Sequence, residues 1–180
     1  MKSILIIGGA RSGKSRLAQD MALKSGGDIL FVATAEAGDE EMKQRIEKHR
    51  KARPSAWVTL EATTQIGSQI TKNIGTAKTV IIDCITLLLN NIFQQFDEAA
   101  DENLIEETVS TEIKELIDCQ NHVAASFIIV SNELGLGIVP ADRVSRLYRD
   151  LLGRANQILA ERADEVYMLL AGIPVPIKKS

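Results

Sequence analysis

The feature that most constrains this chain is the octet GGARSGKS at residues 8 to 15, directly after the apolar run SILII. From Gly8 to Ser15 it fits G-x-x-x-x-G-K-[ST], with a strand pattern before it and a helical pattern after it, the context the motif requires. Its glycines permit backbone angles that turn successive N–H groups inward, so Gly8, Gly9, Ala10, Arg11, Ser12 and Gly13 form a cradle for phosphates. Lys14 is placed to reach the outer phosphates and Ser15 to ligate Mg²⁺, while the N-terminus of the following helix favours an anion. A ligand-free glycine-rich turn is the alternative, but a chance match in a chain this long is on the order of one in a hundred.

A strand-to-helix cradle belongs in an α/β fold, and the remaining pattern agrees. Short apolar runs at 3–7, 29–33, 79–83, 126–131 and 165–170 alternate with helical patterns near 14–24, 39–52, 64–74, 103–121 and 140–163. Nearly continuous apolar character in the runs predicts strands buried on both faces, as in a parallel sheet. The segment 85–96, ITLLLNNIFQQF, reads equally as helix or turn, and IPVPIKK after Gly172 reads as a terminal edge strand because of its prolines. The expectation is an α/β P-loop NTPase of the RecA-like type, with a mostly parallel central sheet flanked by helices. With 180 residues, 45% of them hydrophobic, and no linker-like stretch, one domain spanning 1–180 is expected.

Charge and cysteine content narrow the setting. Lys and Arg total 21 against 24 Asp and Glu, which argues against a dedicated nucleic-acid binder, and Trp57 with the few other aromatics makes no stacking platform for bases. Cys84 and Cys119 are too few for a disulfide framework and lack metal-ligand spacing. The opening MKSILII is too short for a signal-peptide core, and no stretch reaches the ~20 apolar residues of a membrane span. A cytoplasmic location is therefore expected.

Two further segments carry candidate chemistry. KTVIIDC (78–84) has the form of a Walker B strand ending in Asp83, an acid able to hold the magnesium shell, although an acid can also merely end a strand. In 39–54, Asp39 can cap a helix, Glu40 and Glu41 suit its first turn, Lys48, Arg50, Lys51 and Arg53 suit its last, and Pro54 stops it. Met42, Ile46, His49 and Arg53 share one stripe of that helix. A histidine there can be a packed side chain. It can also be a nucleophile: Arg45, Arg50 and Arg53 around it attract phosphate, and a neutral imidazole attacking phosphorus yields a phosphoramidate. Pattern alone leaves both open. His122, by contrast, reads as structural at a helix C-terminus, where a cation suits the dipole.

Taken together, GGARSGKS, EEMKQRIEKHRKARPSAWVTLEA (40–62), IIDCITLLLNN (81–91), SNELGLGIVP (131–140) and YRDLLGRANQILAERADEVYMLLAGIP (148–174) resemble the bifunctional adenosylcobinamide kinase/adenosylcobinamide-phosphate guanylyltransferases of cobalamin assembly. The resemblance covers nearly the whole chain. It implies that His49, within EKHRKARP, is guanylylated by GTP, and that Ala33, Thr34 and Ala35 after the second strand and the run Arg50, Lys51, Ala52, Arg53 contact the nucleotide. Glu61 and Asp83 match acidic positions near the nucleotide, and Asn132 and Glu133 fall near the site. The implied substrates are GTP and ATP with Mg²⁺, and adenosylcobinamide and its phosphate. A homotrimer with sites near subunit boundaries is also implied. Two other readings share the cradle: a simple P-loop small-molecule kinase with His49 in packing, and a nucleotide-operated switch or motor.

Overall fold

A computed structural model describes residues 1–180 except 37, 39, 52, 98, 99 and 180; within the second helix the side chains of residues 41, 42 and 45 are also not described. The expected cap at Asp39, the contact at Ala52, and the side chains of Met42 and Arg45 therefore lie outside the described residues. Strands β1 (Ser3–Gly8), β2 (Ile29–Ala33), β3 (Val58–Glu61), β4 (Thr79–Asp83), β5 (Ser126–Val130), β6 (Glu165–Leu170) and β7 (Ile173–Lys179) form one sheet in the order β3-β2-β4-β5-β1-β6-β7. All neighbours are parallel except the β6–β7 hairpin. The helices are α1 (Lys14–Ser25), α2 (Glu40–Lys51), α3 (Ile66–Asn73), α4 (Ile85–Phe93), α5 (Glu102–His122) and α6 (Arg143–Arg162).

Burial on both faces explains the continuous apolar runs. Alternate residues of β2 divide between two cores: Leu30 and Val32 point to one, Ile29, Phe31 and Ala33 to the other. In β4, Val80 and Ile82 likewise oppose Ile81, and in β5 Phe127 and Ile129 oppose Ile128 and Val130. The first core is closed by apolar residues of α3, α4, α5 and α6, the second by Ala18 and Ala22 of α1. A strand with helices above and below has no face to leave polar.

The ambiguous segment 85–96 is helix α4 over Ile85–Phe93. Its buried residues fall on nearly every side of the helix, which removes the polar stripe that would have identified it. Strand β3 was not anticipated. It has four residues, is mostly exposed and lies at the sheet edge against β2, so it carries no buried apolar run. β7 is the expected edge strand: every residue is exposed, Pro174 and Pro176 lie within it, and the pairing shifts register at Val166/Tyr167. His122 ends α5, with Nδ1 2.7 Å from the Asp118 carbonyl oxygen. Cys84 and Cys119 are buried free thiols.

Long-range polar contacts lock the helices onto this frame. Glu112 of α5 accepts the N–H groups of Gln65 and Ile66, both at 2.8 Å, and so caps α3 from a different helix. Burial pushes its carboxyl above the ordinary carboxylate range, and the two N–H bonds oppose that shift.

Candidate active site

The phosphate cradle follows β1 as expected. Gly8 has φ +149° and Gly13 φ +97°, and a Cβ on Gly8 would stand 2.6 Å from the Leu169 carbonyl oxygen, so close passage against β6 requires glycine there. Arg11 also takes a left-handed φ of 57°, and Gly13 caps α1 with no side-chain bond of its own. The free N–H groups of the first turn of α1 are thus left for an anion.

Around the cradle lies a cavity of about 520 Å³ at the carboxyl ends of β1, β2, β4 and β5, where parallel sheets present their ligand sites. It is lined by Ala10 to Arg16, by Ala33 and Ala35 after β2, by Asp83, Cys84 and Leu87 after β4, and by Val130 and Asn132 after β5. Ile46 and His49 of α2, together with Arg53, close it from above. His49 is exposed and not packed into a core; the described side chains of α2 are exposed except Ile46. The helix stands over the cradle as a solvated arm, which brings its basic end to the phosphate site.

Charge and unmet hydrogen bonds in this cavity favour an anion. Lys14 is 7% exposed, and its Nζ donates to the Gly9 carbonyl at 2.6 Å. Burial lowers its pKa, against the pull of Cys84 and Asp83. Asp83 stays partly accessible although protein surrounds it; that burial raises its pKa, opposed first by the Ser15 hydroxyl bonded to it, then by His49, Arg53 and Lys14. The Arg53 guanidinium lies 3.9 Å above the centre of the Phe31 ring, which stacks on Trp57 with centroids 6.3 Å apart. Among the described residues its buried Nε has no hydrogen-bond partner, and neither has the Ser12 hydroxyl. Unmet buried donors on two sides of one cavity are explained by an acceptor-rich ligand. Burial also pushes the Cys84 thiol up to about 11, which keeps it neutral beside Asp83.

Several expected contacts lie elsewhere. Gly8 and Gly9 shape the start of the cradle and do not line the cavity. Arg50 pairs with Glu61 at 3.5 Å, both well exposed, and ties the end of α2 to β3; Lys51 is exposed on the same turn. Thr34 is fully buried beneath the site. Its hydroxyl donates to the Cys84 carbonyl and accepts the Cys84 N–H, both at 2.7 Å, and its own carbonyl accepts from Asn91 Nδ2 at 2.7 Å. Thr34 therefore holds the turn after Asp83 against β2. Thr34→Val keeps the shape but strands the Cys84 N–H, while the Cys84 carbonyl still accepts the Leu88 N–H at 3.1 Å, and it is expected to lower unfolding free energy by about 1–3 kcal/mol. Denaturant unfolding with an unchanged slope checks this, and an unshifted midpoint would return Thr34 to the ligand side.

Cys84, Leu87 and Val130 line the cavity without having been marked in the sequence. They occupy positions where apolar core residues are expected, and nothing local distinguishes a strand-end residue that meets a ligand from one that meets a side chain.

The oxygen donors fit Mg²⁺. Ser15 and Asp83 offer a hydroxyl and a carboxylate in mutual contact beside the cradle, and among the described residues no group of three or more His, Cys, Asp or Glu could hold a metal alone. Such a site suits an ion that keeps waters and completes its shell with phosphate oxygens.

Comparison with known proteins agrees with this geometry. By coordinates, the chain resembles the flagellar accessory protein FlaH from Methanocaldococcus jannaschii, with TM-score 0.53 at 15% identity, covering 99% of this chain and 79% of that one. It also resembles the RadB recombinase, with TM-score 0.52 at 16% identity, covering 93% and 73%. These likenesses concern the fold alone, a mostly parallel sheet flanked by helices. By sequence, it is 40% identical over 174 residues to the bifunctional adenosylcobalamin biosynthesis protein CobP of Pseudomonas aeruginosa, covering 97% of this chain and 96% of that relative. It is 38% identical over 180 residues to the bifunctional adenosylcobalamin biosynthesis protein CobU of Escherichia coli, covering 97% and 99%. The family model for cobinamide kinase / cobinamide phosphate guanyltransferase matches residues 4–177. On that match, over almost the full length, the chain belongs to the cobinamide kinase / cobinamide phosphate guanyltransferase family.

Proposed function

We propose that this chain phosphorylates adenosylcobinamide and then transfers GMP from GTP to the resulting phosphate, giving adenosylcobinamide-GDP. Its family and relatives support the two activities. The observation that carries the residue-level reading is a single cavity lined both by the cradle with Lys14 and by His49 with Arg53.

In the kinase step the aminopropanol hydroxyl oxygen attacks the γ-phosphorus of ATP or GTP. The bond from that phosphorus to the bridging oxygen breaks, and the nucleoside diphosphate leaves with the electron pair as the hydroxyl proton is released. Lys14 and the cradle N–H groups hold the phosphates and neutralise developing charge, which is most of what phosphoryl transfer requires of a protein. Ser15 and Asp83 would hold Mg²⁺, which supplies charge neutralisation on the phosphate oxygens.

In the guanylyl step the imidazole of His49 attacks the α-phosphorus of GTP. A P–N bond forms, the bond to the departing pyrophosphate breaks, and pyrophosphate carries away the electron pair. A phosphate oxygen of adenosylcobinamide phosphate then attacks the same phosphorus, the P–N bond breaks, and neutral imidazole is restored. Two steps let each transfer use a well-placed nucleophile. The buried Arg53 Nε, without a hydrogen-bond partner among the described residues, supports a role in steadying the phosphates beside His49.

The corrinoid is large for a cavity of this size, which supports a homotrimer with acceptor sites near subunit boundaries. A cytoplasmic single nucleotide-binding domain without nucleic-acid function completes the reading; among the described residues no helix is long and apolar enough to cross a membrane.

The test is to incubate the protein with Mg²⁺ and GTP labelled at either the α- or the γ-phosphate. Acid-labile, alkali-stable label retained only from the α position is expected. Tight GTP binding with no retained label, alongside phosphorylation of the corrinoid, would leave a simple kinase.

A further inference from the structure

Asn91 is a buried amide in an apolar helix. Ile85, Leu88, Leu89 and Ile92 of α4 enter the first core, yet Asn91, next to Ile92, is only 6% exposed. A carboxamide placed there without partners would oppose folding, so the bonds it makes define its use. Its Nδ2 donates to the Thr34 carbonyl at 2.7 Å and to the Thr63 carbonyl at 3.0 Å. Those carbonyls stand at the two feet of one crossover: β2 ends at Ala33, α2 carries His49, and β3 ends at Glu61.

The helix between those feet has little packing of its own to place it. The described side chains of α2 are exposed except Ile46. The Arg50–Glu61 pair joins two points of the crossover itself, and Arg53 stacks on Phe31 of β2, the strand that the crossover leaves. A solvated arm of this kind is placed by its ends. At the first foot the Thr34 N–H donates to the Asp83 carbonyl at 3.3 Å. The Ala62 N–H of the second foot donates to the Ala33 carbonyl at 3.0 Å, and the Asn91 amide closes both feet onto α4. Because α4 starts at Ile85, just after Asp83, it is a strut with that acid before its first turn and the clasp of the crossover in its last.

Placement matters most for the group that the crossover carries. Phosphoryl transfer uses the cradle, Lys14 and Asp83, which follow β1, start α1 and end β4, and none of these is on the crossover. Guanylyl transfer needs His49 in line with the α-phosphorus, and a misplacement of about 1 Å costs on the order of 10² in rate. We propose that Asn91 is a positioning residue for His49: its carboxamide clasps both feet of the β2–β3 crossover and so fixes where the imidazole meets the nucleotide. The inference rests on the guanylyl reading above. It adds a residue that does not line the cavity and serves one of the two reactions.

The test measures both reactions in the full chain with Mg²⁺: the rate constant for α-label uptake onto the protein at saturating GTP, and kcat for moving γ-label to adenosylcobinamide. Asn91→Ala loses both bonds, and its uptake rate constant is expected to fall by about ten- to a hundredfold while phosphorylation stays within about threefold. In Asn91→Asp a buried carboxyl facing two carbonyl oxygens keeps its proton and donates once, so an intermediate loss of uptake is expected. That variant keeps the shape, so the test stands even if the alanine variant does not fold. Glu112→Gln weakens the buried cap of α3 instead, and is expected to lower the melting temperature with the ratio of the two rates unchanged. Equal loss of both reactions in the Asn91 variants, no loss, or the same selective loss in Glu112→Gln would overturn the proposal. If the parent takes up α-label and His49→Ala takes up none, the guanylyl reading stands whatever the Asn91 variants do. If the parent phosphorylates the corrinoid but takes up no label, that reading falls and this inference with it.

Discussion

Replacing His49 by alanine is expected to eliminate protein-bound GMP and guanylyl transfer together, while corrinoid phosphorylation stays within about tenfold of wild type. The two activities separate because they use different atoms of the same cavity. His49 stands on a solvated helix, exposed, and its ring makes no hydrogen bond to the described residues. Truncating such a side chain changes stability by about 0.5 kcal/mol or less, so the melting temperature should hold and the loss should be chemical. The cradle after β1, Lys14 at the start of α1 and Asp83 at the end of β4 do not depend on His49 for their position. Labelling with α-labelled GTP, corrinoid phosphorylation and a thermal melt on the same preparation check this. Full guanylyl transfer by the variant would sink the covalent relay. Loss of both activities with an unchanged melt would make His49 a nucleotide-positioning group.

Lys14→Ala is expected to lower kcat/KM for phosphoryl transfer by about 10²–10³, the usual effect of deleting one preorganised group that meets transition-state charge. Its stability signature should run the other way. In the free protein the ammonium is buried against the Gly9 carbonyl, and burial lowers its pKa. A charge held out of water opposes folding until an anion arrives. The variant should therefore melt at or slightly above wild type without nucleotide. With GTP at about a hundredfold excess over Kd, wild type should gain about 2.7 kcal/mol and the variant almost none. Lys14→Arg is not expected to rescue, because a planar fork does not fit where a compact point charge fits. A variant that melts well below wild type without nucleotide would show that Lys14 supports the fold rather than the ligand.

How much of this was legible follows from what each residue depends on. The five strands β1, β2, β4, β5 and β6 were readable because helices on both faces force an apolar residue at nearly every position, and such runs stand out in a linear sequence. β3 was not, because an exposed four-residue edge carries no such demand. α4 was ambiguous for the opposite reason, since burial on nearly all sides erased the periodicity that distinguishes a helix. Thr34, expected at the nucleotide, lies fully buried beneath the cavity, its hydroxyl taken by Cys84, fifty residues away along the chain.

The sequence by itself determined the cradle, the acid that ends β4, the α/β class and the family. All of these depend on residue types at short spacings, and short spacings govern backbone angles, helix starts and strand burial. Whether His49 packs or faces the cavity, where the Thr34 hydroxyl goes, and what Asn91 holds were decided only in three dimensions. Strand β5 lies between β1 and β4 although more than forty residues separate it from either. Long-range burial of both sheet faces sets that order, and the order brings the cradle, Asp83 and Asn132 to one rim beneath α2.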